Sequence, residues 1–179
     1  MDQFPLIPVE EGRLNDPNLR EMFIGRVFTL RRFRDLLARG KTRGGLVSFH
    51  TDHKLLLLSH DRKRYTEMGR LVAAAKELTP SVLYDRYQGF LMEVLSAKPT
   101  AKKSADVFLH RMGHIKKVLT PDKKQELLEV VTRYRERLIS IIVPGTLIGH
   151  YVRKYRGFYL ERQLFLTPHP VELLLRNHV

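Results

Sequence analysis

Between Thr42 and Lys54 the chain reads Thr-Arg-Gly-Gly-Leu-Val-Ser-Phe-His-Thr-Asp-His-Lys, its densest run of residues able to do chemistry. On an α-helix, His50 and His53 stand at i and i+3 and share a face, and Lys54 lies one turn beyond His50. Arg43 sits two turns earlier on nearly the same line, so one helical face is expected to collect Arg43, His50, His53 and Lys54, with His60 close to the stripe. Gly44 and Gly45 are poor helix formers. In a first turn they suggest close backbone approach, with N–H groups open to a phosphate. Cations gathered beside imidazoles call for a compensating anion, so the face is expected to bind phosphate. His50 and His53 are also the candidate acid–base pair, because imidazole exchanges protons near neutral pH. The structural alternative is a pair of core or semi-core histidines hydrogen-bonding between helices.

Other constellations are thinner. His110 and His114 are i and i+4 around Arg111 and Gly113. A glycine in mid-helix costs about 1 kcal/mol against alanine, which suggests a tight helix crossing or a close ligand there; the bland alternative is a helix surface with one packed histidine. Arg70, His110, Arg111 and His150 join the 43–54 segment as expected phosphate- or RNA-binding residues. Two histidines at i and i+3 can hold a metal, yet the chain has no His-Glu-x-x-His pattern and no cysteine, and Arg43 and Lys54 would repel a cation. No Ser-His-Asp ordering, Walker loop or Rossmann glycine set occurs. Asp52 points about a third of a turn away from the histidine pair.

The whole-chain charge gives these residues their context. In 179 residues, Lys and Arg number 32 and Asp and Glu 19, a net charge of +13. That exceeds the magnitude of about 2–8 usual for a small soluble domain, and an excess of one sign destabilises the compact state unless an anionic partner is near. Nucleic acid is the common partner of this kind. Basic groups recur along the chain, among them Arg62-Lys63-Arg64, Lys116-Lys117 and Arg153-Lys154, and Tyr65, Tyr134, Tyr151, Tyr155 and Tyr159 lie among them. Phosphate contacts beside aromatic platforms suit a folded RNA; taken singly, each run also reads as a solvated face or, for the tyrosines, as core. The absence of cysteine excludes a disulfide scaffold, a thiolate metal site and a cysteine nucleophile within this chain. Met1–Gly12 is acidic and proline-bearing, unlike a signal peptide, and the apolar runs are too short or interrupted to span a bilayer. A cytoplasmic protein with no membrane partner is the expectation.

The elements that must carry these residues read as helices. Residues 1–15 read as an extended tail or linker. Asp16-Pro17 opens a helix whose apolar positions Leu19, Phe23, Val27, Leu30, Phe33 and Leu37 recur at three and four, with Gly40 as its stop. Thr42 caps a helix to about His60, Asp61 caps another, and Thr79-Pro80 opens a third. Lys98–Lys103 reads as a basic connector before a helix from Ser104 to Leu119. Thr120-Pro121 starts the next, expected to bury Leu127, Leu128, Val131, Tyr134 and Leu138; Pro144-Gly145 is expected to interrupt before a segment through Tyr151 and Phe158, and Val171–Arg176, behind Pro168 and Pro170, reads as a last turn of helix. No strand alternation or Asn-Gly hairpin signal persists. The prediction is an all-α fold: a compact bundle of six to seven helices over residues 16–179, behind an extended N-terminal tail.

The residues Lys41-Thr42-Arg43-Gly44-Gly45-Leu46-Val47, Phe49-His50, His53-Lys54-Leu55, Gly69-Arg70-Leu71-Val72, Val107–His110 with Gly113, Val143-Pro144, His150-Tyr151 and Leu175-Arg176-Asn177 resemble the YbgA-like family, a bacterial domain of unknown function. The resemblance spans about Phe28–Asn177. The piece Pro8–Pro17 with Leu19-Arg20 and Phe23 is similar to the junction at which this family is fused behind a thiouracil or 4-thiouridine desulfurase domain. The resemblance implies that an iron–sulfur cluster belongs to such a fused or partner domain, with no cofactor in this chain. It further implies that the upstream domain removes sulfur from a thiolated base while this one presents the tRNA. The leading expectation is therefore a tRNA- or structured-RNA-binding accessory domain, non-catalytic by itself. Two alternatives stay open: a histidine-dependent enzyme acting on a nucleotide or nucleobase, and an interaction module that docks a desulfurase partner.

Overall fold

In a computed structural model, the chain is all-α. The structure describes residues 16–115, 117–156 and 158–177, which form ten α-helices and a single 3₁₀ turn, with no strand among them. The count exceeds the expected six to seven because the run 43–60 divides in two at His53, the short α9 is added at Phe158–Glu161, and the expected last helical turn at Val171–Arg176 forms a helix of its own, Pro170–Asn177. The tail at residues 1–15 lies outside the described residues. The helices form two compact units, divided between Lys98 and Pro99 at the start of the basic connector.

The first unit comprises α1 (Pro17–Ala38), α2 (Arg43–Asp52), α3 (Lys54–His60), α4 (Arg62–Ala73), the 3₁₀ turn Ala75–Glu77 and α5 (Pro80–Ser96). Its boundaries follow local chemistry. Asp16 Oδ1 accepts from the Leu19 N–H, Thr42 Oγ1 from Gly45 (3.1 Å), Asp61 Oδ1 from Arg64 (3.0 Å) and Thr79 Oγ1 from Val82. Each satisfies a donor that a helix start leaves orphaned. Gly40, at φ +101°, ends the first helical segment in the left-handed region that glycine adopts without strain. The short helix α3 is the centre of the unit: Leu55, Leu56, Leu57, Ser59 and His60 are all buried. Around it Phe33, Phe49, Tyr84 and Tyr87 form an aromatic cluster with ring centroids 5.3–6.2 Å apart.

The core-facing side of α1 differs from the expected stripe. Of Leu19, Phe23, Val27, Leu30, Phe33 and Leu37, only Phe33 is fully buried; the interior face instead carries Met22, Gly25, Arg26, Thr29 and Phe33. Two of these are polar, and apolar periodicity therefore pointed to the neighbouring face. Arg26 is paired inside: its Nε donates to the Leu95 carbonyl and its Nη2 to the Ser96 carbonyl at 2.9 Å. His60 Nδ1 donates to the Ala97 carbonyl at 2.8 Å. Together they satisfy the carbonyls that the C-terminus of α5 leaves open, and desolvation lowers the Arg26 pKa.

The second unit comprises α6 (Ala101–Ile115), α7 (Pro121–Arg135), α8 (Ile142–Lys154), α9 (Phe158–Glu161) and α10 (Pro170–Asn177). Thr100 Oγ1 accepts from the Lys103 N–H, so α6 begins three residues before the expected Ser104. Pro144 and Gly145 lie in the first turn of α8 and do not interrupt it. Proline is tolerated there because a first-turn N–H has no intrahelical acceptor. Helix α7 buries Leu127, Val131 and Tyr134 as expected, whereas Leu128 and Leu138 are exposed. The chain leaves α7 through Arg137 at φ 63°, with the Leu138 N–H donating back to the Arg133 carbonyl, and Leu138 is thereby carried off the buried face. Tyr151 donates to Glu126 Oε2 at 2.8 Å, tying α8 to α7.

Candidate functional site

The cation–histidine face expected at 43–54 is taken up by packing. Arg43 donates from Nε to the Ala75 carbonyl at 2.8 Å and from Nη2 to the Leu78 carbonyl at 2.7 Å. Its guanidinium thus holds the chain that leaves α4. The Gly45 N–H is bound by the Thr42 side chain. A Cβ at Gly45 would meet Thr42 Oγ1 at 2.9 Å and Leu36 Cδ1 at 3.0 Å, while one at Gly44 would meet nothing within 4 Å. Gly45 therefore serves the close approach of α1, α2 and α5, where Tyr84 also donates to the Thr42 carbonyl at 2.8 Å. The Gly45 N–H is thus committed to the cap, whereas Gly44 lies against open space.

Both candidate catalytic histidines are interior. His50 shares a 3.2 Å hydrogen bond between its Nδ1 and the Tyr87 hydroxyl and stacks on Tyr65, with ring centroids 5.0 Å apart and planes within 3°. Burial first, and the Lys54 charge second, lower its pKa from 6.5 to about 4. His53 is 2% exposed and stacks on Phe49 at 3.9 Å. Its Nδ1–H donates to the Phe49 carbonyl at 2.8 Å, which makes Nε2 the unprotonated nitrogen. That Nε2 is buried without a hydrogen-bond partner. Burial above all, opposed by the Phe49 hydrogen bond and aided by the charges of Arg32 and His50, lowers the His53 pKa from 6.5 to about 4. The Tyr87 hydroxyl is pushed well above its ordinary value by burial, so it stays protonated beside His50. These imidazoles are neutral packing groups at physiological pH. Lys54 is half-buried.

Of the remaining expected residues, Arg70 is exposed on α4 with an uncommitted guanidinium. His110 and His150 are exposed on the second unit, His150 edge-on to Tyr151 at 5.5 Å. The side chains of Arg111 and His114 lie outside the described residues. Among the described residues, no group of three or more His, Asp or Glu side chains gathers to hold a metal.

The open cationic surface of the first unit is the solvent face of α4. At 100° per residue, Arg62, Lys63 and Arg70 fall within about 100° of arc, with Thr66 and Ala73 between them. All five are exposed, and the three cations make no side-chain hydrogen bond or ion pair among the described residues. Arg39, Lys76 and Arg86 are likewise exposed and uncommitted. Three other surface cations of this unit do find acids: Arg31 pairs with Asp35, Lys41 with Asp85, and Arg64 with Glu93. The Arg62-Lys63 run was visible in the sequence as one basic cluster among many. With Arg70 it forms a three-cation arc on one helix face that no other described residue engages.

A family model described as a protein of unknown function, DUF1722, matches residues 54–170. The chain belongs to the DUF1722 family. It is also 26% identical over 153 residues to "Uncharacterized protein YbgA" of Escherichia coli (strain K12), covering 85% of this chain and 90% of that protein. No solved structure matches the chain significantly. The DUF1722 match begins at the start of α3 and takes in α4, so Arg62, Lys63 and Arg70 lie inside it while Arg43–His53 precede it. No helix among the described residues of this DUF1722 chain is long and apolar enough to cross a membrane.

Proposed function

We propose that this DUF1722 chain binds a structured RNA, with tRNA the expected species, as a non-catalytic accessory to sulfur removal from a thiolated base. The observation that carries the reading is the solvent face of α4, where three cations stand together with no acid on the arc. Arg133, Arg135, Arg137, Lys154 and Arg156 of the second unit, exposed and without an ion-pair partner among the described residues, also support it. Uncommitted arginine and lysine lose little on meeting phosphate and release its counterions. The link to desulfuration rests on the junction-like sequence of the tail. Acid–base catalysis by His50 and His53 finds no support in two neutral, enclosed imidazoles.

A gel shift of the full chain with bulk tRNA and with duplex DNA, at two salt concentrations, tests this. tRNA affinity should fall steeply as salt rises and exceed that for duplex DNA. The triple variant Arg62→Gln/Lys63→Gln/Arg70→Gln should bind more weakly and flatten the log–log salt slope by about two to three units. An unchanged slope for the folded variant would remove the α4 face from the interface, and equal affinity for duplex DNA would remove the RNA preference.

A second reading, a module that docks a protein partner, is favoured by α10, where Val171, Leu174 and Leu175 are exposed on one side of an amphipathic helix. Recovery of a purified desulfurase domain by the full chain after nuclease treatment would support it. Loss of recovery on nuclease treatment would favour RNA as the bridge.

A further inference from the structure

A cavity of about 270 Å³ opens in the second unit between α8 and the segment 165–173. Its α8 wall follows one helical stripe: Ile142, Gly145, Thr146 and Arg153 stand at i, i+3, i+4 and i+11. The middle of that stripe is small, and a Cβ on Gly145 would meet nothing within 4 Å, so the glycine opens directly onto the void. Phe165, Leu166 and Leu173 form the opposite wall. The hollow is apolar along its body.

Its polar groups sit on the α8 stripe. The Arg153 side chain lines the cavity and makes no hydrogen bond or ion pair among the described residues. It folds back along α8: a Cβ on Gly149 would lie 3.6 Å from Arg153 Nη1 and 3.2 Å from the Leu166 carbonyl oxygen. Gly149 thus makes room both for the guanidinium and for the wall opposite. The Thr146 hydroxyl, two turns away on the same stripe, also has no hydrogen-bond partner among the described residues. Thr167, by contrast, spends its hydroxyl on the Glu161 and Gln163 carbonyls.

From this geometry we infer that the cavity is a binding site for a small organic anion, a compact apolar body carrying one carboxylate or phosphate. The body would fill the hollow beside Gly145, and the anion would take the planar fork of Arg153. A guanidinium is suited to either head group because it pairs with both in two parallel hydrogen bonds. The volume lies just under the range of about 300–1,000 Å³ usual for drug-sized ligands, which calls for a ligand on the scale of a single ring. This site is separate from the α4 face and does not depend on the RNA reading.

Isothermal titration of the full chain with benzoate, phenyl phosphate, benzyl alcohol and inorganic phosphate tests the inference. At least one of the two ring-bearing anions should bind about tenfold more tightly than both the neutral alcohol and inorganic phosphate. The stronger of benzoate and phenyl phosphate then identifies the head group. Arg153→Gln should bring the ring-bearing anions down to the level of the alcohol. Gly145→Ala, whose methyl enters open space and leaves the fold intact, should weaken every ring-bearing ligand. No anion binding above the alcohol would overturn the assignment, as would an anion preference that survives Arg153→Gln or ring affinities unmoved by Gly145→Ala.

Discussion

Two basic segments of the first unit, 43–54 and 62–70, are adjacent in the chain and meet opposite fates. In the first, Arg43 donates to the Ala75 and Leu78 carbonyls, and His50 and His53 are sealed against Tyr65, Tyr87 and Phe49. In the second, Arg62, Lys63 and Arg70 are exposed on α4 and make no side-chain hydrogen bond or ion pair among the described residues. The segment richer in chemically able residues is the one the fold consumes. A cation or imidazole that already satisfies a buried carbonyl or packs on a ring would lose that partner on meeting a ligand. The cations that the fold leaves alone are the ones available to a polyanion.

The comparison breaks most readily in acid. Unfolded histidine protonates near pH 6.5, whereas His50 and His53 in the fold do so only at about pH 4. Between these values the unfolded chain binds more protons, so stability is fully present above about pH 6.5 and is lost as pH falls towards 4. The two sites together should cost a few kcal/mol, on the order of the linkage for shifts of this size. Urea midpoints should therefore drop steadily over this window, and replacing His53 with a non-titrating residue of similar shape, such as Asn, should flatten the decline. A midpoint insensitive to pH here would mean that the imidazoles are not enclosed.

Next in size are the structural members of the first segment. Gly45→Ala should destabilise by about 1–3 kcal/mol, the usual cost of overpacking, because its methyl would press on the Thr42 cap and on Leu36. Arg43→Ala should cost about 1–3 kcal/mol by leaving the Ala75 and Leu78 carbonyls without their donor. It should leave tRNA affinity unchanged, as measured on folded protein by gel shift. The α4 triple variant should do the reverse, moving the thermal midpoint little, since surface changes usually stay within about 0.5 kcal/mol, while weakening RNA binding. If Arg43→Ala weakened RNA binding as much as the triple variant, the two segments would belong to one interface. The smallest effect has the opposite sign: Gly44→Ala should stabilise by about 0.5–1 kcal/mol, because its methyl meets nothing and alanine favours the helix.

Caps and periodicity made most helix boundaries legible. Asp16, Thr42, Asp61 and Thr79 each act at the position their side chains announce, because a cap depends on atoms within three residues. The buried face of α1 was not legible. Its interior stripe includes Arg26 and Thr29, and the acceptors that make Arg26 tolerable, at Leu95 and Ser96, lie about seventy residues away. The split at His53 was hidden for a similar reason, since Leu55–Leu58 follows as an unbroken apolar run that local patterning joins to the helix before it. Of the expected site, Arg70 remains an open cation, and its neighbours Arg62 and Lys63 were distinguishable from the other basic runs only after their surroundings were known.

By itself, the sequence determined the helical class, most of the caps, the absence of thiol chemistry and a surplus of thirteen positive charges, because composition and short-range hydrogen bonding are properties of neighbours in the chain. The tertiary structure alone decided which charges were already committed. It turned Arg26 and Arg43 into helix-end partners, neutralised His50 and His53 by enclosing them, left the α4 cations in water and set Arg153 against an apolar hollow. Commitment depends on acceptors and burial supplied by other helices, and no spacing within one segment encodes them.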